Sequence, residues 1–195
     1  MNTILLVLCL IPLIYYVVSM RNYKFTTKEM VSVAMFSGIA YMLSLIPIIK
    51  YPQDGGINMF SMLPLLLVSV VYSRQAGITA GLITGIISMF MGGYIMHPAQ
   101  VLLDYILPYM ALGLSDIFGK DDKKKVIVGC LVAVALNVLS HFLSGYIFFG
   151  QFAPEGMNPA LYSFLYNFSG HGVEGILCIA ILSVLPFNRL KQLAR

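Results

Sequence analysis

Tryptophan is absent from this 195-residue chain, charge is scarce and cysteine is scarcer. Only 10% of the residues are Asp, Glu, Lys or Arg, against roughly 25% in an ordinary soluble domain, and 59% are hydrophobic against roughly 45–50%. The shortage of charge runs the whole length, which leaves no room for a water-soluble catalytic domain and points to an integral membrane protein. Cys9, Cys130 and Cys178 stand in separate apolar runs with no CxxC pair. That excludes a readable zinc or thiol-redox motif and leaves them as packing thiols. Without Trp, the interfacial and stacking roles it often fills fall to twelve Tyr and twelve Phe. A phosphate-binding P-loop is also missing. Gly113 to Lys120 has one residue too many between its glycines and no Ser or Thr after the lysine, so nothing in the chain would hydrolyse ATP.

What is present is a succession of apolar runs. Thr3 to Met20 carries no charged side chain and is followed by Arg21, Lys24 and Lys28, the pattern of a spanning or anchoring helix. The first residues lack a basic n-region, and Val18 to Arg21 offers no small-residue cleavage site, so a retained helix is favoured over a signal peptide. Six further runs follow at about 29–47, 58–73, 76–92, 98–118, 125–149 and 159–187, separated by turn formers and most of the charge. The expected fold is therefore an all-α membrane protein. Residues 1–28 supply an N-terminal hydrophobic helix and a basic linker, 29–187 a six-helix bundle, and 188–195 a basic tail. Taking Arg21, Lys24 and Lys28 as cytoplasmic, successive crossings put every basic residue except Lys50 on that side. The positive-inside bias then places the N-terminus outside and the C-terminus in the cytoplasm. The net charge of +4 thus marks a membrane face, with Lys123 to Lys125 beside lipid headgroups and no nucleic acid implied.

Ionisable residues inside a bilayer are costly and tend to be functional. Asp104, His141 and Asn167 lie on three different spans, each roughly 9–12 Å below the outer boundary at ~1.5 Å of rise per residue. Tyr105, Tyr146, Phe149, Tyr162 and Tyr166 surround that level in the sequence. A carboxylate among aromatic faces suits a flat organic cation, through Coulomb attraction and stacking or cation–π contact. The spacing also allows a plainer arrangement in which Asp104 and His141 satisfy only each other. Glu174, deeper and flanked by His171, reads as an interhelical hydrogen-bond partner, and Asp116 as an anchor at the cytoplasmic end. His97-Pro98 either shapes the start of its span or gates the pocket. Gly77, Gly81 and Gly85 mark close helix packing, and Ala34 with Gly38 a small-residue face for packing or for another membrane subunit. An intramembrane enzyme, using Asp104 with His141 or Glu174 with His171, has no nucleophile or paired-carboxylate motif to support it.

The segments His97 to Tyr105, Ala111 to Leu114, His141-Phe-Leu-Ser-Gly145 to Gly150, Ala153-Pro-Glu-Gly-Met-Asn-Pro159 and Tyr166-Asn167 together carry a family likeness. Over about 29–187 the chain resembles the thiamine-specific substrate-binding (S) components of energy-coupling factor (ECF) transporters, the ThiT family. The resemblance implies a six-transmembrane-helix S component, no cofactor and no catalysis. It implies capture of extracellular thiamine in the plasma membrane, in partnership with a transmembrane coupling subunit and two cytosolic ATPases. It assigns the ligand site to Asp104, Tyr105, His141, Gly145, Phe149, Tyr162 and Asn167. Asp104 would balance the ligand's positive charge, Phe149 would stack on its ring, and Tyr105 and Asn167 would bond the pyrimidine edge. The segment from Pro47 to Asn58 would be a lid, and Ala34 with Gly38 the face docking on the coupling subunit. Asp stands at 104 where the family usually has Glu, and Phe at 149 where it has Trp. A thiamine precursor such as hydroxymethylpyrimidine, which keeps the pyrimidine and lacks the cation, is the alternative cargo.

Overall fold

Helices form where apolar runs are bounded by residues able to cap them, and the caps set their ends. In the computed structural model, which describes residues 2–52 and 55–194, α1 spans Asn2–Met20 and α2 spans Thr27–Ser44. Gln53 and Asp54 of the expected lid, and Arg195 of the basic tail, lie outside the described residues. A capping box starts α2: Glu29 N–H donates to Thr26 Oγ1 (3.2 Å), and Thr26 N–H donates to Glu29 Oε2 (3.0 Å). Ser73 caps α4 (Arg74–Phe90) and Asp122 caps α7 (Lys123–Phe148).

The segment expected as a lid is more regular than a loop. Strands β1 (Pro47–Lys50) and β2 (Gly56–Asn58) pair antiparallel, with Ile49 opposite Ile57 and Lys50 opposite Gly56. The hairpin takes residues from both flanking spans, so α2 ends at Ser44 and α3 is only Met62–Val71. The span expected at 98–118 is α5 (Pro98–Val101), a π-helical stretch Leu102–Ile106 and α6 (Leu107–Leu112). The last span is α8 (Pro159–Asn167), a second π stretch Phe168–Gly172 and α9 (Val173–Val184). The basic tail forms α10 (Phe187–Ala194), tied to the bundle by the buried Phe187 ring. Lys123–Phe148 and Pro159–Val184, at 26 residues each, are long and apolar enough to cross a bilayer.

The core runs along α3, where Leu65, Leu66, Val68 and Val70 are fully buried, and on to Leu112 of α6 and Val126 of α7. The α4 glycine row permits close backbone approach to the neighbouring helix. A Cβ on Gly81 would lie 2.1 Å from Tyr109 O and one on Gly85 1.8 Å from Tyr105 O, so a side chain there would force the helices apart. Helix α1 leans on α4 and α6: Leu13 and Tyr16 pack against Ile78, Ile106 and Met110, and Tyr16 and Thr79 share a 2.7 Å hydroxyl bond.

The loops carrying most of the basic residues meet at one end. Tyr23 and Ser73 hydroxyls bond at 2.6 Å, Lys120 Nζ donates to Tyr72 O at 2.5 Å, and Arg74 Nε meets Asp116 Oδ1 at 3.0 Å. Asp116 is thus an anchor between elements. At the deeper level, Glu174 is fully buried and accepts from Ser61 Oγ (2.6 Å), Asn58 N–H (3.1 Å) and Met62 N–H (3.4 Å). It fastens the end of β2 and the first turn of α3 to α9.

Candidate small-molecule binding site

Two π-helical stretches, the end of α7 and helix α8 form most of the site. A π turn widens the helix and shifts the direction of every side chain beyond it, and such turns are frequent at functional sites. In the first stretch, Leu107 N–H reaches back to Leu102 O. Asp104 and Tyr105 sit inside it; Asp104 faces His141 of α7, and the Tyr105 hydroxyl reaches the loop after α4. The second stretch follows Asn167 directly and carries His171. Asp104 and His171 both meet His141 on the outer part of α7, which also contributes Gly145 and Phe149.

These elements enclose a cavity of about 550 Å³ at the end of the bundle opposite the basic loops. All seven residues singled out in the sequence line it: Asp104, Tyr105, His141, Gly145, Phe149, Tyr162 and Asn167. Tyr94, Tyr109, Phe152, Ser163, Tyr166 and His171 also line it, as do Gly55 and Gly92. Of these extra rings, the sequence had marked Tyr166, as a neighbour of Asn167, and His171, as a neighbour of Glu174, while Tyr94, Tyr109 and Phe152 lie outside the quoted motifs.

The polar groups are held by a specific set of bonds. Asp104 Oδ2 accepts from Gln100 Nε2 at 2.7 Å, and Oδ1 stands 3.5 Å from His141 Nδ1, long for a hydrogen bond. Asp104 and His141 therefore face each other without closing on each other. His141 lies flat on His171, with ring centroids 3.9 Å apart and planes 4° from parallel. Asn167 Nδ2 donates to Ser163 O (2.9 Å) and His141 O (3.3 Å), which fixes the amide; Oδ1 takes part in neither bond. The Tyr105 hydroxyl accepts from Tyr94 N–H at 2.8 Å, so it braces a neighbouring loop while its ring forms the wall. Gly145 is needed for close approach: a Cβ there would sit 2.3 Å from Ser163 Oγ and 3.1 Å from Asn167 Nδ2.

Aromatic rings close the sides. Phe149 packs 6.2 Å from Tyr94 and 6.3 Å from Phe152, and Tyr162 packs 5.8 Å from Tyr166. The β1–β2 hairpin covers the α8 side. Gly55 N–H donates to Tyr166 Oη at 3.0 Å, the Tyr166 hydroxyl in turn bonds Pro52 O, and Tyr51 packs edge-on against Tyr166 at 5.8 Å. His97 caps α5 by accepting from Ala99 N–H at 3.0 Å and stacks on Phe148, so it shapes the start of its helix. Ala34 is exposed on α2 and Gly38 has open space where a Cβ would stand, among the exposed Met30, Val31, Met35, Ile39 and Met42.

An apolar helical bundle with an aromatic-walled cavity of this size defines a membrane protein with a small-molecule site. The sequence profile of the family described as thiamine transporter protein (Thia_YuaJ) matches residues 30–194. The chain belongs to this thiamine transporter family and is a transport protein, not an enzyme. It is 32% identical over 172 residues to the thiamine transporter ThiT of Bacillus subtilis (strain 168), covering 80% of this chain and 89% of that one. It is 23% identical over 168 residues to ThiT of Lacticaseibacillus paracasei, covering 78% and 83%. Its fold matches that of ThiT from Listeria monocytogenes with a TM-score of 0.73 at 23% identity, covering 85% and 96% of the two chains. A structure described as the S component of a bacterial ECF transporter aligns with a TM-score of 0.58 at 21% identity, covering 86% and 98%. Helix α1 precedes the matched family region.

Proposed function

We propose that this protein is the substrate-binding S component of an ECF-type transporter and that its cavity captures thiamine from outside the cell. The observation that carries the reading is a carboxylate, Asp104, set in an aromatic-walled cavity of about 550 Å³ beside His141 and Asn167. Asp104 balances the thiazolium charge, Phe149 stacks on a ring, and Asn167 Oδ1 accepts from the aminopyrimidine. Tyr105 and Tyr162 supply walls, with the Tyr105 hydroxyl turned to its own loop. The hairpin latched to Tyr166 serves as the lid. The basic end of the bundle faces the cytoplasm, with the N-terminus outside and the C-terminus inside, so the cavity opens outward. ATP is hydrolysed by two cytosolic partner subunits, and the transmembrane coupling subunit docks on the α2 face around Ala34 and Gly38.

One observation favours the neutral precursor as a second reading: Asp104 Oδ1 already faces a ring nitrogen of His141 at 3.5 Å, so its cavity-side oxygen has a partner within the protein. Titration of the purified, detergent-solubilised protein with thiamine and, in parallel, hydroxymethylpyrimidine separates the two, followed by heat or Tyr fluorescence. Tight thiamine binding supports the first reading. Preference for the bare pyrimidine reassigns the cargo, and binding of neither removes both.

A further inference from the structure

Gln100 is fully buried, with 0% of its surface exposed, beside the buried Ala99 of α5. Leaving an amide there is costly unless each of its groups is bonded. Its Nε2 donates to Asp104 Oδ2 (2.7 Å) and to Tyr94 O (3.0 Å), and its Oε1 accepts from Met96 N–H (3.2 Å). The partners fix which way the amide points. Turned over, its oxygen would face a carboxylate and a carbonyl, and its NH2 would face a donor. Both Nε2 hydrogens are therefore committed, one to the acid of the cavity and one to the loop after α4.

That loop carries the Tyr94 ring against Phe149 in the cavity wall. Tyr94 is held at both backbone groups, its carbonyl by Gln100 and its N–H by the Tyr105 hydroxyl. The bond on Oδ2 leaves Asp104 Oδ1 turned toward His141 and the cavity.

We infer that Gln100 is a positioning residue for ligand charge: it holds the Asp104 carboxylate oriented toward the cavity while tying the Tyr94 wall to the same helix, and so sets the preference for a cationic over a neutral ligand. The inference rests on the cavity being the ligand site. It assigns Gln100 no contact with the ligand.

The test compares Gln100→Met, which keeps the length and loses the donor, with the natural protein, titrating each with thiamine and with hydroxymethylpyrimidine. Thiamine affinity is expected to fall about tenfold, the scale of one hydrogen bond to a charged group, with the neutral pyrimidine changed by less than about twofold. In an Asp104→Asn background the same substitution is expected to cost thiamine less than about twofold, since the charge it serves is gone. Equal losses for both ligands, an undiminished effect beside Asp104→Asn, or unchanged thiamine binding would each overturn the inference. If Gln100→Met does not fold, Gln100→Leu is measured in its place, and failure of both makes Gln100 a structural brace and overturns it as well. Absence of thiamine binding in the natural protein overturns the assignment of the cavity instead, so the two failures are told apart.

Discussion

The hydroxyl of Ser140 on α7 donates to the carbonyl oxygen of Leu103 at 2.7 Å, where the helix backbone has no donor to offer. Leu107 N–H reaches past Leu103 to Leu102 O, and the next residue in register, Pro108, has no N–H. Asn137 Nδ2 likewise donates to Pro108 O at 3.0 Å. The π stretch that turns Asp104 and Tyr105 toward the cavity is therefore held open from the neighbouring helix. Ser140→Ala is expected to orphan a buried carbonyl and lower stability by roughly 1–3 kcal/mol. A thermal melt in detergent checks this, and an unchanged midpoint would mean that the π stretch is held by other contacts.

Asp104→Asn keeps the shape of the side chain and removes its charge. Thiamine affinity is expected to drop about 10- to 150-fold, equivalent to roughly 1.5–3 kcal/mol, with a much smaller change for a neutral pyrimidine. Calorimetric titration of both ligands decides it, and equal losses would remove the charge-pairing role.

Phe149 lines the cavity between Tyr94 and Phe152. Phe149→Ala is expected to cost roughly 1–2 kcal/mol of ligand affinity and Phe149→Trp to preserve or raise it, as expected for a stacking plate. Full affinity in the alanine variant would count against stacking at this position.

The Tyr166 hydroxyl joins α8 to the hairpin through Gly55 N–H and Pro52 O. Tyr166→Phe keeps the ring beside Tyr51 and Tyr162 and removes the latch. Ligand dissociation is expected to quicken about three- to tenfold, the loss of one or two ordinary hydrogen bonds. Stopped-flow release measures it directly, and an unaltered rate would show that the hairpin does not gate the cavity.

The α2 face around Ala34 and Gly38 lies away from the cavity and has open space over Gly38. Replacing both by Leu is expected to leave ligand binding within about twofold and to abolish uptake in cells carrying the partner subunits, because bulk there blocks close helix approach. Uptake at the normal rate would move the docking surface elsewhere.

How much of this was legible in the sequence follows from what each level of structure responds to. The bilayer demands long apolar runs whatever their partners, so hydropathy marked where the helices lie, with ends displaced by a few residues. Polar residues in such runs are rare enough that Asp104, His141 and Asn167 stood out by depth alone, and the family motifs supplied Gly145 and Phe149. Directions were another matter. The two π stretches shift the facing of everything after them, and a proline in a span signals a broken bond without saying how the backbone responds, so Tyr109 and His171 gave no sign that they face the cavity. The hairpin at 47–58 was hidden because β1 has no alternating apolar pattern; all four of its residues are exposed. Composition by itself determined that this chain lives in a membrane and that its few polar residues need partners. Only the tertiary structure decided which partners they have, because a hydrogen bond such as Gln100 to Asp104 and Tyr94, or Ser140 to Leu103, depends on the rotation and distance of whole segments that no local run of residues encodes.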